Sequence, residues 1–574
     1  MRIYPDSHID SDGPNLEKLG FQKKRCKYIV SSDKIVCCCL NKIIYHDPSV
    51  IQEYNLRKNS ESSNKWDKEV CTEDAGPTDA YGKIKFTDTE NFPSYVRVSN
   101  KTNENKLISL LFDDEYWGLK KPELIISVTG GAEKISLNQK LKDAFSKGLV
   151  EAAVTTNALV TSGGTYGGCM KLVGEAFKEN ALSLDPNKKI NLLGIADWCA
   201  IFNNSDLIRN NNPDQSRKAV EYNLIKPRAE KKSLLDPNHT HFILVDDGYH
   251  YFGGEMKLRA KLEAKLRETA KTVVLVLGGG PNTAESIFNA ISERTPCVIL
   301  ESSGEMETGF SYAINRIKNL STEKEQSSLL ENEEFWNEVR RRLVNGFIQK
   351  KDPETRAENT LKSIKKSLKL ENLHLLTVCR SRNGRAELDV AILEALLSAE
   401  KNTSNNFEAQ LKLALNWNRI DIARNYLFND ENIDINLLKN FMTTALIQNK
   451  HEFVELFLEK GLSLRSFLTH RRLLFLYNKI PKNSLFQKML DKHSNNVLTK
   501  DKIKKKTDDK KNIITFEHIG EVLTKLVDYS FEHKFKKSPY SNIEKDKVQE
   551  IVINDSNKYG EKLTNVIDRV KLEN

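Results

Sequence analysis

Three glycine-rich segments in the first half of the chain each follow a run of apolar, mostly β-branched residues. They are Thr129-Gly130-Gly131, Gly163-Gly164-Thr165 and Gly278-Gly279-Gly280. Glycine lets backbone N–H groups approach a ligand closely, and a helix that begins after such a turn offers its positive end to an anion. A hydroxyl beside a glycine pair, as in the second segment, suits phosphate. We predict that the three segments line one shared ligand pocket; the alternative is that each turn needs glycine only for its own geometry.

The third segment continues as Gly279-Gly280-Pro281-Asn282-Thr283, which resembles the G-G-x-G-T phosphate loop of the lysine-decarboxylase-like phosphoribohydrolases. Asn282 replaces a glycine of that loop, although asparagine tolerates a left-handed backbone. Ser286 stands where the catalytic glutamate of that family would be, and Glu285, one position earlier, would point in another direction on a helix. Loss of this carboxylate favours binding without glycosidic hydrolysis, so no catalytic residue is predicted.

Several charged residues follow predicted strands and are weaker candidates. Arg259 and Lys261, on a predicted helix, could reach a pyrophosphate, and the alternative is a solvated basic face. Asp246-Asp247 at a strand end suits metal ligation or acid–base chemistry, but aspartate is also a common helix cap or loop anchor there. His239 and His241 flank the start of the same strand, and we interpret them as edge residues rather than ligands.

A small cysteine–histidine cluster lies near the start of the chain, formed by Cys26, Cys37-Cys38-Cys39 and His46. A zinc site needs about four nitrogen or sulfur ligands held tetrahedrally. The spacing offers candidates but matches no standard C-x₂-C pair, and adjacent cysteines on a strand would point to alternate faces. Buried structural thiols and a metal site both stay open; the first is favoured, and no metal ligand is assigned.

The elements that must position the glycine segments alternate between strand and helix from Leu124 to about Ser303. Buried runs at 124–129, 158–162, 189–195, 241–245, 272–277 and 296–300 are separated by amphipathic helical patterns such as Asn138–Ala152. This alternation predicts a Rossmann-like α/β domain with a parallel sheet. Ligands of such sheets bind outside the carboxyl ends of the strands, where all three glycine segments fall. Two further strands are predicted upstream, at 82–86 and 95–99.

After about residue 320 the glycines nearly vanish and the pattern becomes helical. The segment Ala414–Leu427 aligns with Ala445–Leu458, 31 residues later (445 − 414). This offset is close to the ankyrin period of about 33 residues, and each copy has the pattern of a helix pair. Stacked helix pairs bury a shared core and act as scaffolds, so we predict an all-α, ankyrin-like repeat domain without catalytic function.

Composition bounds the remaining possibilities. The chain has 574 residues, of which 29% are charged and 39% hydrophobic, with a mean hydropathy of −0.52. We find no apolar run of about 18 residues and no secretory signal at the N-terminus, so a chain without a membrane span is expected. Nine cysteines without a framework spacing fit a reducing cytosol. The net charge is +9, and Asp501–Lys511 carries a third of it, with six lysines against three aspartates. This run is interpreted as a solvated linker, with an anionic lipid or nucleic-acid contact as the alternative.

Longer motifs resemble the N-terminal cytosolic region of the melastatin subfamily of transient receptor potential (TRPM) cation channels. They include Pro122–Ala132 (PELIISVTGGA), Thr161–Met170 (TSGGTYGGCM), Leu235–Gly248 (LDPNHTHFILVDDG) and Gln410–Arg424 (QLKLALNWNRIDIAR). Pro77–Gly82 and the early cysteines are also similar to that family, so the resemblance covers nearly the whole chain. It implies a SLOG-type α/β fold, followed by helical homology regions and, in a full channel, a six-helix pore that is absent here.

In some TRPM members the first α/β region binds ADP-ribose and gates a calcium-permeable pore. Carried over by position, this resemblance implies that the three glycine segments, the start of the helix after the third, and the Leu258–Lys261 segment contact the ligand. The candidate contacts are Thr129, Gly130, Gly131, Gly163, Gly164, Thr165, Arg259, Lys261, Gly279, Gly280, Pro281 and Thr283. Nucleotide-binding members tend to have arginine at the position of Lys261, and lysine lacks the planar fork for bidentate phosphate contact.

The sequence thus predicts the ligand-sensing and subunit-assembly part of a TRPM-like calcium-permeable channel, on the cytoplasmic side of a membrane and without a pore of its own. Its expected partners are neighbouring subunits and an ADP-ribose-type nucleotide; no nucleic acid and no further cofactor are assigned. The alternatives are a scaffold with a vestigial pocket and a stand-alone phosphoribohydrolase. Four segments are predicted: a cysteine-containing N-terminal segment, the SLOG-type domain, the helical repeats, and a basic linker with further helices, at 1–60, 61–318, 319–495 and 496–574.

Overall fold

The computed structural model describes most of the chain up to residue 480. The residues described are 16–480 without 17, 32–33, 40–41, 58–66, 88, 90, 132–136, 181–189, 210–218, 228–230, 249–252, 302, 383–384, 387, 401–405 and 429–433, together with 488–489, 519 and 522. The predicted basic linker at Asp501–Lys511, and nearly all of the segment 496–574, lie outside these residues. The chain forms two compact units, Met1–Thr403 and Ser404–Asn574.

The strands of the first unit are short, and those at its centre are rich in apolar residues. They are β1 (Lys23–Cys26), β2 (Thr72–Ala75), β3 (Tyr81–Phe86), β4 (Ser94–Ser99), β5 (Leu124–Gly130), β6 (Leu159–Ser162), β7 (Asn191–Asp197), β8 (Val220–Tyr222), β9 (His241–Asp246), β10 (Lys271–Leu277), β11 (Cys297–Leu300), β12 (Leu376–Cys379), β13 (Ser381–Arg382) and β14 (Arg385–Ala386). The central strands are buried on both faces, which explains their continuous Val, Ile and Leu runs.

Ten of these strands form one sheet in the order β12-β11-β10-β5-β6-β7-β9-β4-β3-β8. Neighbouring strands are parallel except for β3 and β4, which pair antiparallel. Strand β5 connects onward to β6 on one side, whereas β10 connects onward to β11 on the other. The order therefore reverses between β5 and β10, and a sheet of this kind opens a crevice at the carboxyl ends of the two strands where it reverses.

Helices cover both faces of the sheet. Those of the first unit are α1 (Pro48–Arg57), α2 (Lys68–Cys71), α3 (Glu104–Phe112), α4 (Gln139–Thr155), α5 (Gly168–Asn180), α6 (Met256–Arg267), α7 (Pro281–Ser292), α8 (Glu307–Lys318), α9 (Glu323–Glu331), α10 (Glu333–Gly346), α11 (Pro353–Ser367) and α12 (Leu388–Glu400). Short 3₁₀ turns occur at Ile43–Tyr45, Trp198–Ala200, Asn204–Leu207 and Leu370–Leu375. None of the described helices is both long and apolar enough to cross a bilayer.

One face of the sheet carries α3 and α6 over its middle and α7, α8, α10 and α11 over β10 and β11. Helices α4, α5 and α12 cover the other face, where a Cβ on Gly148 of α4 would lie 2.9 Å from Leu388 Cβ of α12. Buried side chains such as Phe310 and Leu343, each 0% exposed, join α8 and α10 to the strands. Burying one such side chain stabilises the fold by about 1.5–3 kcal/mol.

The parallel α/β sheet predicted from the sequence is confirmed, as are the strands expected at 82–86 and 95–99. Strand β12, which pairs parallel with β11, was not predicted. It returns the chain to the sheet edge after the helical layer, so helices from Glu307 to Glu400 pack within the same compact unit as the sheet. The four predicted segments stay a prediction; the packing groups residues up to Thr403 with the strands.

The second unit contains the predicted helix pairs. Its helices are α13 (Asn406–Asn416), α14 (Ile420–Ile422) continued by a π-helical turn at Ala423–Leu427, α15 (Ile435–Ile447), α16 (His451–Glu459), α17 (Leu464–Phe467) and α18 (His470–Asn478). Asn418 and Asn449, 31 residues apart (449 − 418), both have a left-handed backbone, with φ of 52° and 56°. The two copies therefore share the same turn, and their helices bury one core that includes Leu415 and Phe453.

Candidate functional site

The crevice between β5 and β10 is lined by two of the three predicted glycine segments. Gly130 lies opposite Leu277 in the paired strands, and a Cβ at Gly130 would lie 2.1 Å from the Leu277 carbonyl oxygen. The Gly131 N–H donates to that same oxygen over 3.0 Å. Gly130 is thus required for the two strands to approach, while Thr129, Gly130 and Gly131 stay half-buried at the crevice edge.

The opposite edge of the crevice is the turn from β10 into α7. Gly278 and Gly279 have positive φ angles of 57° and 95°, and a Cβ on Gly279 would lie 2.3 Å from Thr283 Oγ1. The Gly278 N–H donates to Ser303 Oγ over 2.7 Å. Helix α7 then begins at Pro281, with Gly280 as an N-cap residue that provides no side-chain hydrogen bond. The turn is tightly fixed and ends in a helix start without a side-chain cap.

The start of α7 has the electrostatics of an anion site. The first N–H groups of an α-helix have no intrahelical acceptor, and proline at the first position has no N–H to satisfy. Asn282 is exposed and Gly280 and Pro281 are half-buried, whereas Thr283 is 6% exposed. The N–H groups of Asn282 and Thr283 are therefore the donors that this helix end offers, together with the positive end of its dipole.

The second glycine segment, Gly163-Gly164-Thr165 after β6, is packed more tightly than the other two. Gly164 has a φ of 65°, and a Cβ there would lie 2.7 Å from Gly194 Cα. Its N–H donates to Ser162 Oγ over 3.0 Å, and its carbonyl accepts from the Asp236 N–H over 3.0 Å. Gly164 is buried, so its N–H serves the fold, and only Gly163 and Thr165 of this segment are half-buried at the surface.

A buried Ser–His–Asp arrangement lies beside this second glycine segment. The Ser162 hydroxyl lies 2.7 Å from His239 Nε2, and His239 Nδ1 lies 3.8 Å from Asp236 Oδ2. All three side chains are at most 1% exposed, so no substrate reaches them. The neighbouring His241 stacks on Trp117 with ring centroids 4.9 Å apart, and burial lowers the pKa of His241 to about 4. His239 is a buried structural residue just before β9, whereas His241 is half-buried and is the first residue of that strand.

Helix α6 presents its two candidate cations in different surroundings. Arg259 faces the sheet: its Nε lies 2.9 Å from Glu263 Oε1, and its Nη2 donates to Ser127 Oγ over 2.9 Å and to the Val128 carbonyl over 3.1 Å. Lys261 is exposed. Residues two apart on a helix are separated by about 200°, so the pair does not converge on one ligand. Arg259 instead holds β5 in place through its hydrogen bonds to Ser127 and Val128.

A third cation, which the sequence analysis did not include, lies at the start of α7. Arg356 on α11 is half-buried, and its Nη1 lies 3.8 Å from where a Cβ on Gly280 would be. Its Nε donates to the Lys351 carbonyl over 3.1 Å, which orients the guanidinium. Nearby, Lys350 is paired with Glu305 at 3.0 Å. Arg356 sits 76 residues beyond Gly280 (356 − 280), and only the packing of α11 on α7 brings the two together.

The two aspartates at the end of β9 have different roles. Asp246 is 1% exposed and accepts from Arg97 Nε at 2.9 Å, from the Lys24 N–H at 2.9 Å and from the Gly248 N–H at 3.0 Å. It is a structural ion-pair residue. Asp247 is 5% exposed and lies beside Asp197, with the ligand atoms of the two carboxylates within 4.8 Å of each other. This pair forms the centre of an acidic cluster at the ends of β7 and β9.

Glu255, just before α6, completes the acidic cluster. Burial, with Glu255 and Asp247 nearby, raises the pKa of Asp197 to about 7, and burial also raises the pKa of Glu255. Among the described residues, Glu255 Oε2 has no hydrogen-bond partner. The Asp197 carboxylate accepts hydrogen bonds from the Gly254 N–H over 3.1 Å and from the Cys199 N–H over 3.0 Å. The cluster therefore keeps a proton near neutral pH.

This cluster should make the free energy of unfolding fall with rising pH. The unfolded chain loses the Asp197 proton near pH ~4, whereas the folded chain keeps it up to about pH 7. Stability from this group is fully present below pH ~4 and is lost as the pH rises through 7. We expect Glu255→Gln to leave stability nearly unchanged at pH 5 and to raise it by about 1 kcal/mol at pH 8, measured by urea unfolding at each pH.

The matched control is Glu285→Gln, an exposed position on α7. Its effect should be within about 0.5 kcal/mol at both pH values. A Glu255→Gln variant whose advantage over the natural chain does not grow between pH 5 and pH 8 would contradict the assignment.

Comparison with known proteins places this sheet in a described family. The family model "SLOG in TRPM" matches residues 93–352, which include all three glycine segments, and a "TRPM2-like domain" model matches residues 426–569. Transient receptor potential cation channel subfamily M member 2 of Mus musculus is 36% identical over 503 residues, which are 82% of this chain and 31% of the relative.

Two further relatives extend the comparison. Subfamily M member-like 2 of Nematostella vectensis is 32% identical over 538 residues, which are 90% of this chain and 32% of the relative. Subfamily M member 7 of Homo sapiens is 31% identical over 510 residues, which are 79% of this chain and 25% of the relative. The chain thus spans between about a quarter and a third of the length of these relatives.

Proposed function

The chain belongs to the TRPM family of transient receptor potential cation channels, and we propose that it is the ligand-sensing and subunit-assembly part of such a channel. In this proposal it lies on the cytoplasmic side of a membrane and acts on a calcium-permeable pore in a part of the channel outside this chain. The ligand is a nucleotide of the ADP-ribose type, bound in the β5–β10 crevice. The chain itself performs no catalysis.

The observation that carries the proposal is the convergence of two turns and one uncapped helix start at the point where the sheet order reverses. Thr129 to Gly131 form one edge of the crevice, and Gly280 to Thr283 the other. The N–H groups of Asn282 and Thr283 suit an anion, and Arg356 adds a planar cation 3.8 Å from the Gly280 Cβ position. Backbone N–H donors at a helix start and a guanidinium are both groups that bind phosphate.

The contacts proposed for Gly164, Arg259 and Lys261 have less support. The N–H of Gly164 and the guanidinium of Arg259 are already engaged within the protein, and Lys261 is exposed on α6. We therefore propose that Arg259 holds the floor of the crevice by fixing β5, and that the phosphate contacts come from the α7 start and Arg356. Lys261 contributes at most a point charge.

A hydrolytic function for the crevice has no support in its side chains. Glu285 is exposed, and the Ser286 hydroxyl donates to the Asn282 carbonyl over 3.0 Å, within the helix. Incubation with AMP, followed by chromatography of the released base, separates the two functions. Release of adenine above the rate measured without protein would establish hydrolysis and overturn the binding proposal.

The binding proposal is tested by thermal shift of the whole chain with ADP-ribose, AMP, ribose 5-phosphate and pyrophosphate. A ligand at 100 times its dissociation constant stabilises the folded state by about 2.7 kcal/mol. We expect ADP-ribose to raise the melting temperature most, because it occupies both the anion site and the crevice. If none of these ligands raises the melting temperature, the result would support a scaffold with a vestigial pocket.

Arg356→Ala should weaken ADP-ribose binding by about tenfold or more, because a hydrogen bond to a charged group contributes about 1.5–3 kcal/mol. The matched control is Arg341→Ala on the neighbouring α10, whose side chain is 72% exposed. We expect the control to bind like the natural chain, and both variants to keep its melting temperature in the absence of ligand. Equal affinity of the two variants would remove Arg356 from the site.

The second unit supports the assembly part of the proposal. Its paired helices repeat with the same left-handed asparagine turn, and Lys450 of the second copy donates to the Leu415 and Asn416 carbonyls at the end of α13. Stacked helix pairs present extended surfaces to neighbouring chains. The partners proposed for this surface are other subunits of the channel.

A further inference from the structure

The cysteines and the histidine near the start of the chain meet in space. One ligand atom from each of Cys26, Cys37, Cys39 and His46 lies within 4.8 Å of the other three. Tetrahedral zinc with Zn–S distances near 2.3 Å holds its sulfur ligands about 3.8 Å apart. The four atoms are therefore close enough to form a Cys₃His site through side-chain movements of about 1 Å.

Local structure explains how a sequence without a C-x₂-C pair forms this cluster. Cys26 is the last residue of β1, and Val36 and Lys42 pair in a bridge that turns the chain back on itself. The N–H of Cys38 donates to the Val30 carbonyl over 2.6 Å. Cys37 and Cys39 are 1% and 3% exposed, and Cys38 does not belong to the cluster. Alternate residues of the turn thus point to the same side, as expected of an extended segment.

His46 is oriented as metal-binding histidines are. Its Nδ1 lies 3.1 Å from the Lys42 carbonyl oxygen, to which an N–H at this position donates. When Nδ1 carries the proton, Nε2 carries the lone pair, and Nε2 lies 3.2 Å from Cys39 Sγ inside the cluster. Histidines that bind metals commonly donate their second ring N–H to a carbonyl in this way.

The buried apolar core around the cluster is small. Its buried apolar core consists of Ile29, Cys37, Cys39 and Ile43, with Val50 and a few partly buried neighbours packed against it. Small folded segments with a core of this size usually depend on a metal or on disulfides. All described cysteines of the cluster are free thiols, which agrees with the intracellular setting of the proposed function.

We propose that Cys26, Cys37, Cys39 and His46 bind one structural zinc ion that holds together β1, the Val36–Lys42 turn and the end of the 3₁₀ turn Ile43–Tyr45. The ion replaces the thiol protons of the three cysteines, which are released to solvent, and His46 binds as the neutral imidazole. Because four protein ligands complete the tetrahedron, the site has no open position for a substrate. This proposal does not depend on the nucleotide crevice.

The experiment measures zinc in the full-length chain by mass spectrometry of the metals, after reduction, incubation with zinc and desalting. We expect one zinc ion per chain in the natural protein and in Cys38→Ser. Cys37→Ser and Cys39→Ser should retain zinc with at least tenfold lower affinity, measured by competition with a chromophoric chelator. The Cys38→Ser control changes a cysteine between the two proposed ligands, so it separates ligation from a general effect of losing thiols.

A second measurement does not rely on variants. Titration of the reduced natural chain with cobalt should produce the visible bands of tetrahedral cobalt and a sulfur-to-cobalt charge-transfer band. A natural chain that binds no zinc, a pale octahedral cobalt spectrum, or zinc content that falls equally in Cys38→Ser and Cys39→Ser would each overturn the proposal. A disulfide between two of the three cysteines in the protein as purified under reducing conditions would overturn it as well.

Discussion

Replacing Arg97 with methionine should lower the free energy of unfolding by about 3–5 kcal/mol, because it leaves a buried carboxylate without its cation. Arg97 on β4 is 8% exposed, and its Nη1 and Nη2 lie 3.1 Å from Asp79 and 2.5 Å from Asp246. Its guanidinium carbon also lies 4.3 Å from the centre of the Trp198 ring. Urea unfolding followed by tryptophan fluorescence measures the loss.

Arg341→Met is the matched control for this variant. Arg341 is paired with Glu338 at 2.6 Å, but its side chain is 72% exposed. Exposed ion pairs contribute about 0–1 kcal/mol, so the control should unfold close to the natural chain. Arg97 on β4 and Asp246 at the end of β9 form a buried ion pair that joins the two strands. If Arg97→Met were no less stable than Arg341→Met, this ion pair would not contribute to the stability of the sheet.

Gly130→Ala should destabilise the sheet by about 3 kcal/mol or more, above the usual cost of overpacking because backbone atoms resist the new methyl group. The added Cβ would lie 2.1 Å from the Leu277 carbonyl oxygen and 2.9 Å from its carbonyl carbon. Strands β5 and β10 must separate to admit it, which also stretches the hydrogen bond from the Gly131 N–H to Leu277. The midpoint of urea unfolding reports the effect.

Gly280→Ala is the control within the same crevice. The nearest atoms to its Cβ position are both 3.8 Å away, and its φ is −130°, which any residue adopts. We expect a change within about 0.5 kcal/mol. Equal loss of stability in the two variants would mean that the glycines of this crevice are needed for a reason other than the close approach of β5 and β10.

The glycine segments show what could be predicted from this sequence. Strand runs that end in glycine located the carboxyl edge of the sheet, because buried parallel strands are continuously apolar and need small residues where they turn. The sequence could not separate glycines that face a ligand from those that let backbones meet. Gly130 and Gly164 are of the second kind, since their Cβ positions lie within 2.7 Å of Leu277 and Gly194 backbone atoms.

Long-range packing accounts for what the sequence did not predict. Arg356 reaches the start of α7 only because α11 packs beside it, and no local pattern marks that contact. Strand β12 is four residues long and carries no turn signal distinct from its surroundings. The sequence identified the cysteines and the histidine as candidates but could not show that they meet in space. Cys26 reaches the cluster through the pairing of β1 with β2, which is a contact between distant parts of the chain.

The family match and the proposed phosphate site overlap only in part. The "SLOG in TRPM" match ends at residue 352, four residues before Arg356 (356 − 352). The cation that we assign to the phosphate site thus lies on the helical layer beyond the matched sheet. A ligand bound between the two would contact both, which offers a physical route from nucleotide binding to the helices of the first unit.

Hydrogen exchange of the full-length chain, with and without saturating ADP-ribose, tests the central claim most directly. Binding in the β5–β10 crevice should slow exchange of the Asn282 and Thr283 amides and of peptides that cover Thr129–Gly131. The Gly164 amide, which already donates to Ser162 over 3.0 Å, should be unchanged. Protection confined to residues outside the crevice, or no protection at ligand concentrations that shift the melting temperature, would contradict the account.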